Sequence, residues 1–260
     1  MAIPIQEIVS NLLRAEQDRS PLPRFSETYP GFTPQDAYAV QLAWVEAKQS
    51  TGARVVGKKI GLTSPKMQEM FNVNEPDYGH LLDFMLHESG GVISLSSLVQ
   101  PKVEAEIAFV LRRNLRGPGV TREAVLEATE SVMPALEIID SRFANWKITL
   151  PDTVSDNASS GRVVLNRSAA RPVDELDLAA VEMVLEKNGE EINRGLASAV
   201  QGHPAAAVAW LANKFAEFGQ ELRAGEVIMS GAIAGAFDAS AGDRFRASLT
   251  GLGTVEVVFG

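Results

Sequence analysis

The chain has 260 residues, enough to bury a sizeable core in one large domain or in one domain with a smaller appendage. Hydrophobic residues make up 45% and charged residues 22%, the proportions of an ordinary globular protein, which excludes disordered, collagenous and fibrous classes. A net charge of −9, from 24 basic against 33 acidic residues, argues against a nucleic-acid surface, and the absence of cysteine excludes disulfides, thiolate metal sites and cysteine nucleophiles.

Met1-Ala2-Ile3-Pro4 lacks the basic-then-apolar order of a signal peptide, and no stretch approaches the roughly 18 apolar residues of a membrane span. A cytoplasmic protein without a membrane partner is expected. Ile5, Ile8, Val9, Leu12 and Leu13 recur at spacings of three and four, which predicts an amphipathic helix over 5–19 that Ser20-Pro21-Leu22-Pro23 stops. A second helix is expected from Thr33, with Pro34 in its first turn and Tyr38, Leu42 and Val45 facing inward, ending at Gly52. Val55 to Ser64 then reads as a strand whose glycines end it in a loop open to a ligand.

From Val99 onward short strands alternate with turns. A helix is expected over roughly Thr121 to Ser131, ahead of Pro134, and the basic run Arg112-Arg113 with Arg116 reads as a solvated strand end. Asn188-Gly189 between two extended runs predicts a hairpin, and Pro204 to Phe218 predicts a third helix with Val208, Leu211 and Phe215 on one face. Strands follow at 227–229, 244–249 and 254–259.

The segment Pro101 to Leu111 favours a strand in which a period of two puts Val103, Ile107, Phe109 and Leu111 on one face and Glu104, Glu106 and Ala108 on the other. The two carboxylates would lie about 7 Å apart, repelling one another unless water or a cation intervenes. A solvated acidic face is one reading of this pair; a cation site is the other. Glu137, inside the apolar run Met133 to Ile139, is either on an exposed edge or buried with a partner, because an unpaired buried charge costs several kcal/mol. Three such glutamates on neighbouring strands would supply one another's partner around a shared ion, and oxygen-only ligands suit Mg²⁺ or Mn²⁺. Asp152 to Gly161 is a run of small hydrogen-bonding residues, readable as a polar loop or as a carboxylate-binding site.

Five strings in order, Gly57-Lys58-Lys59-Ile60-Gly61-Leu62-Thr63-Ser64, Glu75-Pro76-Asp77-Tyr78-Gly79, Gln100 to Phe109, Pro134 to Arg142 and Asp152 to Ser159, together resemble the 2-hydroxypenta-2,4-dienoate (2-keto-4-pentenoate) hydratase and 4-oxalocrotonate decarboxylase family of the fumarylacetoacetate-hydrolase superfamily. The likeness covers nearly the whole chain. It implies an α+β fold, a curved, mostly antiparallel β-roll with N-terminal helices, divided into a helical cap region over 1–75 and a metal-binding catalytic β-roll over 76–260, or running as one continuous domain. It also implies Glu104, Glu106 and Glu137 as ligands of Mg²⁺ or Mn²⁺, Lys59 and Asp77 as catalytic residues, and Asp156, Ser159 and Leu62 around the substrate.

The activity so implied is that of a homo-oligomeric lyase of aromatic meta-cleavage catabolism, hydrating a small 2-hydroxy-2,4-dienoate through its 2-oxo-3-enoate form to a 4-hydroxy-2-oxo acid. Decarboxylation of 4-oxalocrotonate is the alternative, since the same acids would serve both. Glu75 to Gly79 and Trp146-Lys147-Ile148 favour the hydratase, whereas Ser230 to Ala236 has a more decarboxylase-like texture. Lys59, desolvated and near a cation, is expected to have a lowered pKa. Hydrolytic C–C cleavage ranks lower, because none of His80, His87 and His203 lies where such relatives carry a water-activating histidine; His203 reads as a helix-start residue. A non-catalytic metal-binding module ranks last.

Overall fold

The computed structural model describes residues 3–260. Three helices come first, α1 (Ile5–Asp18), α2 (Phe25–Thr28) and α3 (Pro34–Ser50), followed by β1 (Val55–Gly61), α4 (Pro65–Phe71), β2 (Asp77–Leu82), β3 (Leu86–Glu88) and β4 (Val92–Ile93). The middle of the chain forms β5 (Pro101–Leu111), α5 (Arg122–Ala128), β6 (Thr129–Asp140), α6 (Leu150–Ser155) and β7 (Ser160–Leu165). The remainder forms β8 (Glu182–Lys187), β9 (Glu190–Leu196), α7 (Pro204–Ala216), β10 (Val227–Met229), β11 (Phe237–Asp238), β12 (Arg244–Leu249) and β13 (Gly253–Phe259).

These strands make two sheets. The larger runs β2-β1-β10-β5-β6-β7-β3, with β11 also on β5; the smaller runs β4-β13-β12-β8-β9. Pairing is antiparallel except for β1 with β10, β3 with β7 and β13 with β4, as an α+β fold with a mostly antiparallel sheet requires. One face of β5, with Val103, Ile107, Phe109 and Leu111, is buried in the main core with α7 and the inward residues of the smaller sheet, Phe245, Val255 and Val257. The N-terminal helices form a second core in which Ile8, Leu12, Val40 and Trp44 meet Leu82, Phe143 and Val154. The boundary expected at residue 75 falls between β1 and β2, which are hydrogen-bonded neighbours.

Several elements depart from expectation for local reasons. In α3, Leu42 is 37% exposed, and the inward positions go to Gln41 and Trp44. The buried Gln41 amide donates to the carbonyls of Tyr78 and Val154, both at 2.9 Å, so a polar residue holds the helix on β2 and α6. The helix expected to reach Ser131 ends at Ala128, and Pro134 lies inside β6. Proline is accommodated there because β7 pairs with β6 only from Ala135 onward, so no ladder bond from residue 134 to β7 is lost. The polar run after Asp152 is no surface loop: α6 and the turn that follows it are buried. The Asn188-Gly189 turn has φ of 55° and 86° at its two residues, the signature of a tight hairpin between β8 and β9. Val208, Leu211 and Phe215 lie inward on α7, and Arg112, Arg113 and Arg116 are exposed past the end of β5.

Candidate metal and proton-transfer site

Register brings the acids together. β5 and β6 pair Glu104 with Glu137 and Glu106 with Ala135, and directly opposed residues project from the same face, so all three glutamates share one side of the sheet. One oxygen from each lies within 4.8 Å of the others. Glu106 and Glu137 are each 1% exposed, while Glu104 is only partly buried and marks the open side. Glu106 Oε2 accepts the Gly231 N–H at 2.8 Å and Glu137 Oε1 faces the Lys59 ammonium, but among the described residues Glu106 Oε1 and Glu137 Oε2 are buried without a partner. Buried carboxylate oxygens left unpaired are costly, and a hard cation is the partner that an all-oxygen donor set suits. The residues present therefore fit a divalent ion.

Without such an ion, burial and mutual repulsion disfavour the charged forms. Burial, then Glu137, pushes Glu104 up to about 7. Burial, then Glu137 and Glu104, raises Glu106 well above the carboxylate range, and burial raises Glu137 against the pull of Lys59.

Lys59 arrives from β1. Its Cα is in register with Met229 of β10, which pairs in turn with Ala108 of β5, so Lys59 projects from the same face as the acids. Its Nζ lies 3.4 Å from Glu137 Oε1 and donates to the Ala158 carbonyl at 3.0 Å. Burial lowers its pKa, but without an ion among the acids Glu137, Asp77, Glu104 and Glu106 outweigh burial and raise it; the lowering expected beside a cation belongs to the metal-loaded site. Asp77, the first residue of β2, is buried opposite Gly61 in the β1–β2 ladder. A Cβ on Gly61 would sit 2.2 Å from Asp77 Oδ1 and 3.4 Å from Lys59 Nζ, so the missing side chain is what lets carboxylate and amine flank one point. Burial raises the Asp77 pKa, with Lys59 opposing.

The turn from Asp156 to Ser160 closes this side. Asn157, Ala158 and Ser159 have φ of 52°, 51° and 54°, three successive non-glycine residues in the left-handed region. Both Asp156 oxygens face Arg142: Oδ1 pairs with Nε and Oδ2 accepts its backbone N–H at 2.9 Å. Burial pushes Asp156 up to about 7, with Arg142 pulling the other way. Ser159 Oγ is buried 3.3 Å from Thr153 Oγ1. Leu62, partly buried with φ of 54°, follows Gly61 at the end of β1, and its carbonyl accepts from Gln68 Nε2 at 2.9 Å.

The strand period sends Lys58 to the opposite face. There it is buried against Glu226 at 2.8 Å and, with His80 and Phe215, lines a cavity of about 930 Å³ that none of the three glutamates reaches. Burial holds the His80 imidazole down at about 3, and its Nδ1 lies 3.1 Å from Gln41 Oε1. His203 caps α7, its Nδ1 accepting the Ala205 N–H at 3.0 Å. Sequence reasoning assigned no role to Arg142, Asn157 or Gly231. Arg142 and Asn157 stand inside or beside strings already singled out, but their contacts span elements that spacing alone does not relate.

The profile of the Fumarylacetoacetate (FAA) hydrolase C-terminal family matches residues 63–259. A 2-hydroxyhexa-2,4-dienoate hydratase of Comamonas testosteroni is 49% identical over 249 residues, covering 95% of this chain and 93% of the relative. A 4-oxalocrotonate decarboxylase of Pseudomonas sp. (strain CF600) is 42% identical, covering 97% and 95%. The solved structure of a 4-oxalocrotonate decarboxylase from Pseudomonas putida G7, complexed with magnesium and adipate, superposes with a TM-score of 0.95 at 36% identity and covers 100% of this chain and 99% of that one. With the acids on one sheet face and these likenesses over almost its full length, the chain belongs to the fumarylacetoacetate hydrolase family and, within it, to the group of 2-hydroxydienoate hydratases and 4-oxalocrotonate decarboxylases.

Proposed function

We propose that this lyase adds water to a 2-hydroxy-2,4-dienoate, by way of its 2-oxo-3-enoate form, to give a 4-hydroxy-2-oxo acid, and that Glu104, Glu106 and Glu137 hold the divalent ion it needs, Mg²⁺ or Mn²⁺. The observation that carries the reading is the cluster of three glutamates within 4.8 Å, with two buried oxygens, Glu106 Oε1 and Glu137 Oε2, lacking a partner among the described residues. The magnesium and calcium complexes of the decarboxylase from Pseudomonas putida G7 support it. When bound, the ion supplies Lewis acidity toward the keto oxygen of a chelating 2-oxo acid.

The chain's own groups account for the rest. Lys59, held between Glu137 and the Ala158 carbonyl, is the acid that delivers a proton to C5 of the dienoate while the enol O–H gives up its own, so that the enol becomes a ketone, the C3–C4 double bond stays conjugated with it and the released proton restores the ammonium. Water then adds across that bond, its oxygen to C4 and its proton to C3. Asp77 orients the amine from the neighbouring strand. Ser159 and the backbone around Leu62 contact the substrate, and Asp156, engaged by Arg142, serves the substrate side through the turn it begins. We read the helices and both sheets as one continuous domain, because β1 lies inside the larger sheet.

Exhaustive chelation should abolish turnover and added Mg²⁺ or Mn²⁺ should restore it; an enzyme fully active after chelation would end the reading. Decarboxylation of 4-oxalocrotonate is the second reading, favoured by the 0.95 TM-score to a decarboxylase, whereas the 49% identity to a hydratase favours the first. Mixing the metal-loaded protein separately with 2-oxo-3-hexenedioate and with 2-hydroxypenta-2,4-dienoate separates them. CO₂ release from the first substrate marks a decarboxylase, and bleaching of the second alone marks a hydratase.

A further inference from the structure

We propose that Asn157 is a positioning residue for Lys59, locking the amine against the strand that carries Asp77; the inference rests on the reading of Lys59 as the proton donor. Two partners are placed on the Lys59 ammonium, Glu137 Oε1 and the Ala158 carbonyl. The carbonyl belongs to a turn in which residues 157–159 all take the left-handed conformation, strained for residues with a side chain and in need of compensation from its surroundings.

The Asn157 carboxamide supplies that compensation in a specific place. Its Oδ1 accepts the His80 N–H at 2.8 Å and its Nδ2 donates to the His80 carbonyl at 2.9 Å, so the side chain pairs with β2 as a neighbouring strand's backbone would. Ser160 Oγ donates to the Asn157 carbonyl at 2.8 Å, and Arg142 Nη2 donates to the Asp156 carbonyl at 2.7 Å. The fit is close: a Cβ on Gly79 would lie 2.4 Å from the Asn157 carbonyl oxygen. Asp77, Gly79 and His80 share β2, while Gly61 and Lys59 pair with Asp77 and Gly79 across the β1–β2 ladder. One carboxamide therefore ties together the turn that accepts from Lys59, the strand that bears Asp77 and, through the ladder, the strand that bears Lys59. Neither Asn157 nor its hydrogen bonds include any of the three glutamates.

The test compares Asn157→Gly with Lys59→Ala. Glycine tolerates the left-handed φ and removes only the carboxamide, so the variant isolates the clamp from backbone strain. Lys59→Ala is expected to be inactive. Asn157→Gly is expected to lose about a hundredfold in kcat with KM within about threefold, as for a reacting group displaced by an ångström, while its Mn²⁺ affinity stays at the wild-type value. Val208→Ala, in the buried face of α7, is the control for lost stability and should keep wild-type kcat below its Tm. A folded Asn157→Gly with kcat within about threefold of wild type, beside an inactive Lys59→Ala, overturns the inference and leaves the reading of Lys59 standing. An active Lys59→Ala overturns both. Should Asn157→Gly fail to fold, Asn157→Asp, which keeps the acceptor for the His80 N–H and loses the donor, decides in its place: a fall in kcat of about tenfold upholds the clamp, and wild-type kcat overturns it.

Discussion

Glu106 shows how far the site is held against its own electrostatics. It is buried, its charge is disfavoured by burial and by Glu137 and Glu104, and a backbone N–H from Gly231 satisfies only one of its oxygens. Glu106→Gln should therefore cut turnover by at least about a hundredfold, the scale of losing a group that acts in the transition state, while raising the Tm of the metal-free protein, because folding no longer has to neutralise a buried carboxylate. Activity assays and thermal melts read the two effects, and a metal-free Tm that falls would contradict the electrostatic account. Glu104 sets a pH dependence. With its pKa raised to about 7 it keeps a proton below that pH, and an ion must displace the proton to bind; affinity for Mg²⁺ should rise with pH from about 6, and the raised Glu106 extends the rise upward. Calorimetric titration across that range measures this, and a flat profile would show that Glu104 is not a ligand.

Two glycines on adjacent strands make opposite predictions at the scale of the element. A methyl on Gly79 meets a backbone oxygen, that of Asn157, which cannot step aside without moving the turn. Gly79→Ala should cost about 3 kcal/mol, a fall in Tm of roughly 6–12 °C, with activity lost as well. A methyl on Gly61 meets the Asp77 carboxylate, which can rotate; Gly61→Ala should melt within a few degrees of wild type yet lose most of its turnover. Equal losses of stability in the two variants would mean that the Asp77 side chain is as fixed as the backbone. The same contrast explains what the sequence made legible. The Glu104 and Glu106 pair was readable because strand alternation is local, and the N-terminal helices because their apolar residues recur at helical spacing. The sequence pattern did not yield the end of α5 at Ala128, since Thr129 to Ser131 join β6 by pairing with β5 and that partner lies outside any local window. Nor did it yield the burial of Asp152 to Ser159, whose polar side chains are satisfied by Ser26, Arg142 and His80 from distant parts of the chain. Asn157 was invisible for that reason.

Across the whole molecule, the larger sheet joins strands far apart in the chain, and Leu82 of β2 and Val154 of α6 bury themselves in one core with the N-terminal helices. Unfolding should be a single transition, with far-UV and near-UV circular dichroism coinciding; a separate early loss of helix signal would show that residues 1–75 melt as an independent unit. The order of strands also bears on how the molecule is made. β1 reaches β5 only through β10, at Val227 to Met229, and the N–H that caps Glu106 belongs to Gly231. A nascent chain leaving the ribosome can pair β5 with β6 early, but it holds those glutamates without the lysine strand seated beside them until residue 231 has emerged, so the acids wait until late in synthesis for the amine that comes to lie against them.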